Sequence, residues 1–223
     1  MNAVAARLLV HIVARSGAET DLDARVAREA SRLRSEAGSG PVRVAELYRL
    51  GDDPLGPRTP YRATLELCAA SRDDLVAAVS GLGPRIDDVA HADLCTALVG
   101  TDPLLDGATD TPVRYQYLMR RNSSFTHESY LERYLRIHSQ FGLRTPGIRG
   151  YRQFHVDAEA SRRAVASAAL GVWGVDSVSE LHLDSVEEFL EAVVKSSVGA
   201  EAMADEEVFV DRARSFDFCS RVS

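Results

Sequence analysis

His138 stands four residues after Tyr134 and eight after Tyr130, and Leu131, Tyr134, Leu135, His138 and Phe141 recur at helical spacing. One face of a helix over residues 126–141 therefore sets an imidazole among aromatic and aliphatic side chains. An imidazole there titrates near neutral pH and can act as a general acid/base, or it can be a buried group bonded to a backbone carbonyl. Tyr151, Gln153 and His155 alternate along the following strand, opposite Ile148, Phe154 and Val156. The Tyr151 hydroxyl, or that of Tyr134, can donate to a carbonyl or enolate oxygen; packed at a rim, Tyr151 has no such role.

Glu180 and His182 share one face of a later strand, a spacing suited to an oriented carboxylate and imidazole handling a second proton, or to a structural pair. Metal binding would need a third ligand, and nothing nearby supplies one, so no metal is expected. Tyr115, Tyr117 and Met119 share the parity of Val113, as core or as the aromatic wall of a ligand pocket. Tyr130, Gln153, His155 and the single tryptophan, Trp173, complete the candidate substrate contacts. Arg144, Arg149 and Arg152 flank a Pro146-Gly147 turn and read as a solvated face; His127 reads as exposed in the first helical turn.

The elements that must position these groups occur as the same series twice. In the first half, strand 8–14, helix 21–37, strands 42–50 and 61–68, a helix opened by Ser71 and Asp74, and a strand within 92–99 follow from apolar periodicity and turn residues. The second half repeats the order as strand 113–121, helix 126–141, strands 148–156 and 175–183, helix 185–198 and strand 214–222. Ser185 with Glu188 makes a capping box at the start of its second helix. Residues 100–112, GTDPLLDGATDTP, read as a linker. The expectation is α+β: a degenerate ferredoxin-like unit over 1–110 and a second over 111–223. A βαββαβ unit leaves one sheet face bare, so the two antiparallel sheets should pack as an intramolecular α+β barrel. Because the second half holds the aromatic-xxx-His pattern and Trp173, chemistry is expected there.

This segment resembles the EthD family, in which an aromatic residue precedes a helix histidine by four positions and a Pro-Gly element leads into a strand bearing a tyrosine. The matching positions are Tyr134, His138, Pro146, Gly147 and Tyr151. Downstream, residues 178–184 resemble the family's third strand, and Asp205, Glu206 and Phe209 its closing aspartate-rich segment, so the likeness covers roughly residues 112–220. It implies a ferredoxin-like unit of a dimeric α+β barrel, and no single reaction, because the family has none in common. Proteins similar to this fold include polyketide cyclases and decarboxylases.

A formal net charge of −7 and the lack of a basic cluster argue against a nucleic-acid partner. No apolar run reaches the roughly 20 residues that span a bilayer, and the first residues lack the pattern of a secretory signal, so a cytoplasmic protein with no membrane partner is expected. Cys68, Cys95 and Cys219 fit neither a disulfide framework nor a zinc motif. With Lys195 the single lysine, the composition is that of a high-G+C genome, where secondary metabolism is common. The motifs GxGxxG, Walker loop, GxSxG and HExxH are absent, and no cofactor is expected. The function expected is a cofactor-independent tailoring enzyme performing acid/base cyclisation, dehydration, isomerisation or decarboxylation on a small aromatic or polyketide-type intermediate. The alternatives are a cofactor-free monooxygenase of an activated phenol, or a non-catalytic accessory protein of an oxidation system. The chain is expected as a monomeric pseudo-dimer or a homodimer.

Overall fold

The computed structural model describes residues 6–37, 42–56, 58–172 and 174–223. The first half runs β1 (Ala6–Ile12), α1 (Glu19–Ala37), β2 (Arg43–Arg49), β3 (Ala63–Ala69), α2 (Arg72–Ala78), α3 (Leu82–Ile86) and β4 (Thr96–Gly107). The second runs β5 (Val113–Met119), α4 (His127–Arg133), a π-helical turn (Tyr134–His138), α5 (Ser139–Arg144), β6 (Gly150–Val156), α6 (Ala158–Ala168), β7 (Ser177–Leu183), α7 (Val186–Val194), α8 (Val198–Phe209), a 3-10 turn (Arg212–Arg214) and β8 (Phe216–Val222). Ser71, Thr126 and Ser185 cap α2, α4 and α7, each accepting a backbone N–H three residues on at 3.1 Å.

The strands close into one antiparallel barrel in the order β1-β3-β2-β8-β5-β7-β6-β4. Each half contributes four consecutive strands in ferredoxin-like order, and the halves join through β2 with β8 and through β4 with β6. Residues 100–107, expected in the linker, instead extend β4 along β6, with Leu104 opposite Gln153 and Gly107 opposite Gly150. Pro103 falls within the register shift between Thr101 and Leu104, where a missing N–H breaks no ladder bond. A Cβ on Gly100 would collide with the His155 carbonyl, so the glycine that read as loop punctuation is what lets two strands approach. Helix α6, between β6 and β7, was also not foreseen. Among the described residues no helix is long and apolar enough to cross a membrane.

Alternation along the strands sends Leu8, Val10, Ile12, Leu65 and Leu67 outward against Leu22, Val26, Leu75 and Ile86 of the first half's helices, where they form a filled core. Part of the inside of the barrel is charged. Arg7 of β1 lies 2.7 Å from Glu66 of β3, 2.6 Å from Glu180 of β7 and 3.1 Å from Asp102 of β4. Arg114 pairs with Glu66 and Glu180, Arg152 stands 3.7 Å from both, and the Gln116 amide donates to Glu180 at 2.7 Å. β1 and β7 are not neighbours in the sheet, so the Arg7–Glu180 contact crosses the barrel and ties one half to the other. Burial alone would raise the carboxyls of Glu66 and Glu180, but Arg7 and Arg114 outweigh it and hold both well below the usual carboxylate range. The solvated reading of Arg152 thus fails: its strand parity points it inward, where only 8% of the residue is exposed.

Candidate functional site

The site is built on the other surface of the second-half sheet, between β5, β6 and β7 and the helices α5, α7 and α8. Helix α4 passes into a π-helical turn at Tyr134, and this wider turn ends at His138. Single π turns inside α-helices recur at functional positions because they re-aim side chains without ending the helix. Tyr130 and Tyr134 are fully buried and stack on each other, and the Tyr130 hydroxyl meets Ser177 Oγ at 2.7 Å. These contacts clamp the helix to the sheet one and two turns before the histidine.

The His138 ring sits among Tyr134, Phe141 and Phe209 with centroid distances of 5.2–5.8 Å. Its Nδ1–H donates to Asp205 Oδ2 of α8 at 3.0 Å, and Asp205 also takes the Arg133 guanidinium. A carboxylate can only accept, so this bond leaves Nε2 as the free lone pair. Nε2 lies 3.8 Å from Glu206 Oε1. Burial pushes the His138 imidazole below its ordinary value, with Asp205 opposing part of that shift, so the ring is neutral at neutral pH. Burial pushes the Glu206 carboxyl up to about 7 despite Arg212 nearby, with Asp217 and Asp205 adding to the rise. Two adjacent groups are thereby poised oppositely, one to take a proton and one to give it.

His138 and Glu206 open on a cavity of about 260 Å³ that also presents the side chains of Tyr115, Tyr117, Tyr151 and Ser179. Its apolar walls are Phe141, Leu181, Phe189, Leu190, Val193 and Met203, with Leu55 reaching in from the first half. A Cβ on Gly142 would run into the Tyr151 ring, so only glycine lets helix α5 pass over that tyrosine. Gln153 donates to the Tyr151 hydroxyl at 2.7 Å, leaving the phenolic proton to be donated elsewhere. The volume lies just below the roughly 300–1,000 Å³ of pockets for drug-sized ligands.

Of the candidate residues, His138, Tyr151, Tyr115 and Tyr117 converge on this cavity. Tyr130, Tyr134, Gln153 and His155 form the layer behind it: Gln153 also donates to the Tyr134 carbonyl at 2.9 Å, His155 Nε2 meets Gln153 Oε1 at 3.2 Å, and the His155 ring stacks on Tyr134. Glu180 and His182 are not brought to the cavity. They project from the opposite face of β7 into the barrel, where Glu180 joins the arginines and His182 Nδ1 is 3.5 Å from Thr111 Oγ1. Trp173 lies outside the described residues.

Asp205 and Glu206 received no role from sequence, because α8 (VGAEAMADEEVF) has no amphipathic stripe to mark which acidic side chain faces inward. The available signal was the adjacent Asp-Glu pair in the segment resembling the family's aspartate-rich close. Among the described residues no three His, Cys, Asp or Glu side chains cluster so as to hold a metal ion.

His127, expected to be exposed, is half-buried, its Nδ1 2.8 Å from Asp176 and its Nε2 2.9 Å from the Val156 carbonyl. Both partners only accept, so both nitrogens donate and the ring is held as the cation; the Asp176 bond raises its pKa. A raised value means stability that is complete below the unfolded value of about 6.5 and fades as pH climbs through the folded one. His127→Ala should therefore lose more stability against wild type at about pH 5.5 than at about pH 9 in urea unfolding; an equal loss at both would show that the ring is not charged.

Residues 122–213 match the family model of the EthD domain, and the helix, the π turn and α8 all fall within the matched segment. The fold is that of the α+β barrels. The chain aligns over 100% of its length with 92% of an anthrone oxidase-like protein, at TM-score 0.67 and 10% identity. It aligns over 100% of its length with 94% of a suspected monooxygenase from Fusobacterium nucleatum, at TM-score 0.62 and 7% identity. A chlorite dismutase variant from Candidatus Nitrospira defluvii aligns at TM-score 0.59 and 12% identity, over 100% of this chain and 92% of that one. No curated protein matches the chain in sequence.

Proposed function

We propose that the chain is an enzyme that abstracts a proton from a small aromatic or polyketide-type molecule, with no cofactor, and returns it elsewhere on the same framework. The observation that carries this reading is the Asp205–His138–Glu206 row opening on an aromatic-walled cavity. Asp205 orients the ring, Nε2 of His138 takes the proton, and the Glu206 carboxyl supplies one to the developing product. Tyr151, already accepting from Gln153, donates its hydroxyl to the enolate oxygen that forms. Cyclisation, dehydration and isomerisation pass through an enolate formed by this proton removal; decarboxylation reaches the enolate by breaking a C–C bond with loss of carbon dioxide, after which Glu206 supplies the proton to that carbon.

The pH dependence follows from opposite shifts. The base must be neutral, so kcat/KM should rise as His138 loses its proton below its ordinary pKa of about 6.5. The acid must be protonated, so the rate should fall as pH passes about 7, where Glu206 ionises. Glu206→Gln should remove the falling limb of the profile; a limb that survives unchanged would assign it to another group.

A second reading, oxygenation of an activated phenol, is favoured by the likeness to proteins named as an anthrone oxidase-like protein and a monooxygenase. It shares the first step, after which the substrate carbanion itself reduces oxygen. Incubating 1,8-dihydroxyanthrone with the protein in deuterated buffer without oxygen, and following exchange at its acidic carbon by mass spectrometry, tests the shared step. Oxygen uptake on admitting air selects the oxygenase, and its absence rejects it. Neither exchange nor uptake from this or a panel of related enolisable phenols would leave binding without turnover.

A further inference from the structure

One wall of the cavity comes from outside the segment that matches the EthD domain. Leu55 belongs to the loop between β2 and β3 in the first half, yet it packs with the cluster of Tyr151, Leu181, Leu183 and Phe189. His138 and Glu206 stand instead beside Tyr134 and Phe209. The cavity is therefore lined by the His138–Glu206 pair and, apart from that pair, by the cluster that Leu55 joins.

The loop that carries Leu55 is fastened to β8. Asp53, only 8% exposed, accepts the Cys219 N–H on one oxygen at 2.8 Å and the Leu55 N–H on the other at 3.0 Å. Gly56 lies so close to β8 that a Cβ would meet the Asp217 carbonyl and Phe218 Cβ. The Arg49 guanidinium donates to the carbonyls of Gly56 and Thr59. Asp217 of the same strand accepts the Tyr115 hydroxyl at 3.3 Å, so the latch and a cavity wall share one strand. Leu55 thus sits where β8 holds it.

We infer that Leu55 determines substrate size: a ring system whose reacting carbon lies at His138 is limited in length by Leu55, and Asp53 fixes that limit by anchoring the loop. The inference rests on the reading of the cavity as a site for aromatic substrates. In an apolar pocket a single methylene changes discrimination by roughly 10–200-fold, so a change of wall by several carbons is easily read.

The test is the dissociation constant of 1-naphthol and of 1,8-dihydroxyanthraquinone, measured by calorimetry on the full chain for wild type, Leu55→Ala, Leu55→Trp and Asp53→Ala. Leu55→Trp shortens the cavity and should weaken the three-ring ligand ~10-fold or more against the two-ring one. Leu55→Ala should move the same ratio the opposite way, and Asp53→Ala should follow Leu55→Ala although Leu55 is still present. Leu55→Ala keeps the test open should the bulkier variant fail to fold. A ratio that moves less than about threefold in both Leu55 variants overturns the role of Leu55 while leaving the aromatic site standing, since that shift is below the lower end expected for one methylene. Failure of the wild type to bind either ring system overturns the aromatic site itself, and the size limit with it.

Discussion

Replacing His138 with alanine is expected to lower turnover by ~10²–10⁴-fold, the range by which a positioned acid/base contributes to a proton transfer. The fold should survive, because the ring packs at the edge of the Tyr130, Tyr134 and Phe209 cluster and the helix is clamped independently by Tyr130 to Ser177. The measurement is the single-turnover rate of exchange or product formation, with thermal unfolding as the check on structure. Asp205→Asn separates orientation from chemistry. Its carboxylate raises the His138 pKa, so the substitution should shift the rising limb of the pH profile to lower pH. A His138→Ala protein that turns over within about threefold of wild type would remove the imidazole from the mechanism, a loss far below the acid/base range.

Glu180→Gln is expected to act on the other face of the sheet and on stability rather than turnover. It removes one carboxylate from a buried set in which Arg7, Arg114 and Arg152 face Glu66, Glu180 and Asp102. Breaking a buried pair by removing one partner costs about 3–5 kcal/mol, a large part of the ~5–15 kcal/mol by which domains are stable. Urea unfolding at neutral pH reads the loss directly. Because Glu66 and Glu180 are held below their ordinary values, their contribution is present above the unfolded carboxyl pKa of about 4.3 and is lost as pH falls toward the folded values. Wild type should therefore lose stability below that range, and the variant should show a shallower acid limb. A variant with the wild-type unfolding midpoint and no turnover would return Glu180 to the chemistry.

The sequence made the order of the eight strands and of the two helices in each βαββαβ copy legible, because period-2 and period-3.6 signals are strong enough there to read singly, whereas α3, α6 and α8 lie outside that pattern. The helix start at Ser185 and the inward face of His138 were legible for the same reason: a capping box and an apolar stripe are local. The direction of Glu180 and His182 was not. Parity along β7 says that they share a face, but whether it is the helix-covered face or the barrel interior depends on how the strand is placed between β5 and β6. Arg152 failed similarly, since a charged residue next to a turn reads as solvated until Glu66, Asp102 and Glu180 arrive from distant strands. Asp205 and Glu206 were seen only as a likeness, because helix α8 is too evenly apolar and polar around its circumference to betray a facing side.

The closure of all eight strands within one chain has a consequence for how the site can change. In a barrel assembled from two identical subunits, any substitution is made twice, and a change that suits a cavity in one copy is imposed on the other. Here each substitution is made once. The first half can fill the space between its helices and sheet with Leu65, Leu67, Val26 and Leu75, while the second keeps the corresponding space open around His138. One half is thus free to hold the structure together while the other is free to tolerate the weaker packing around a cavity.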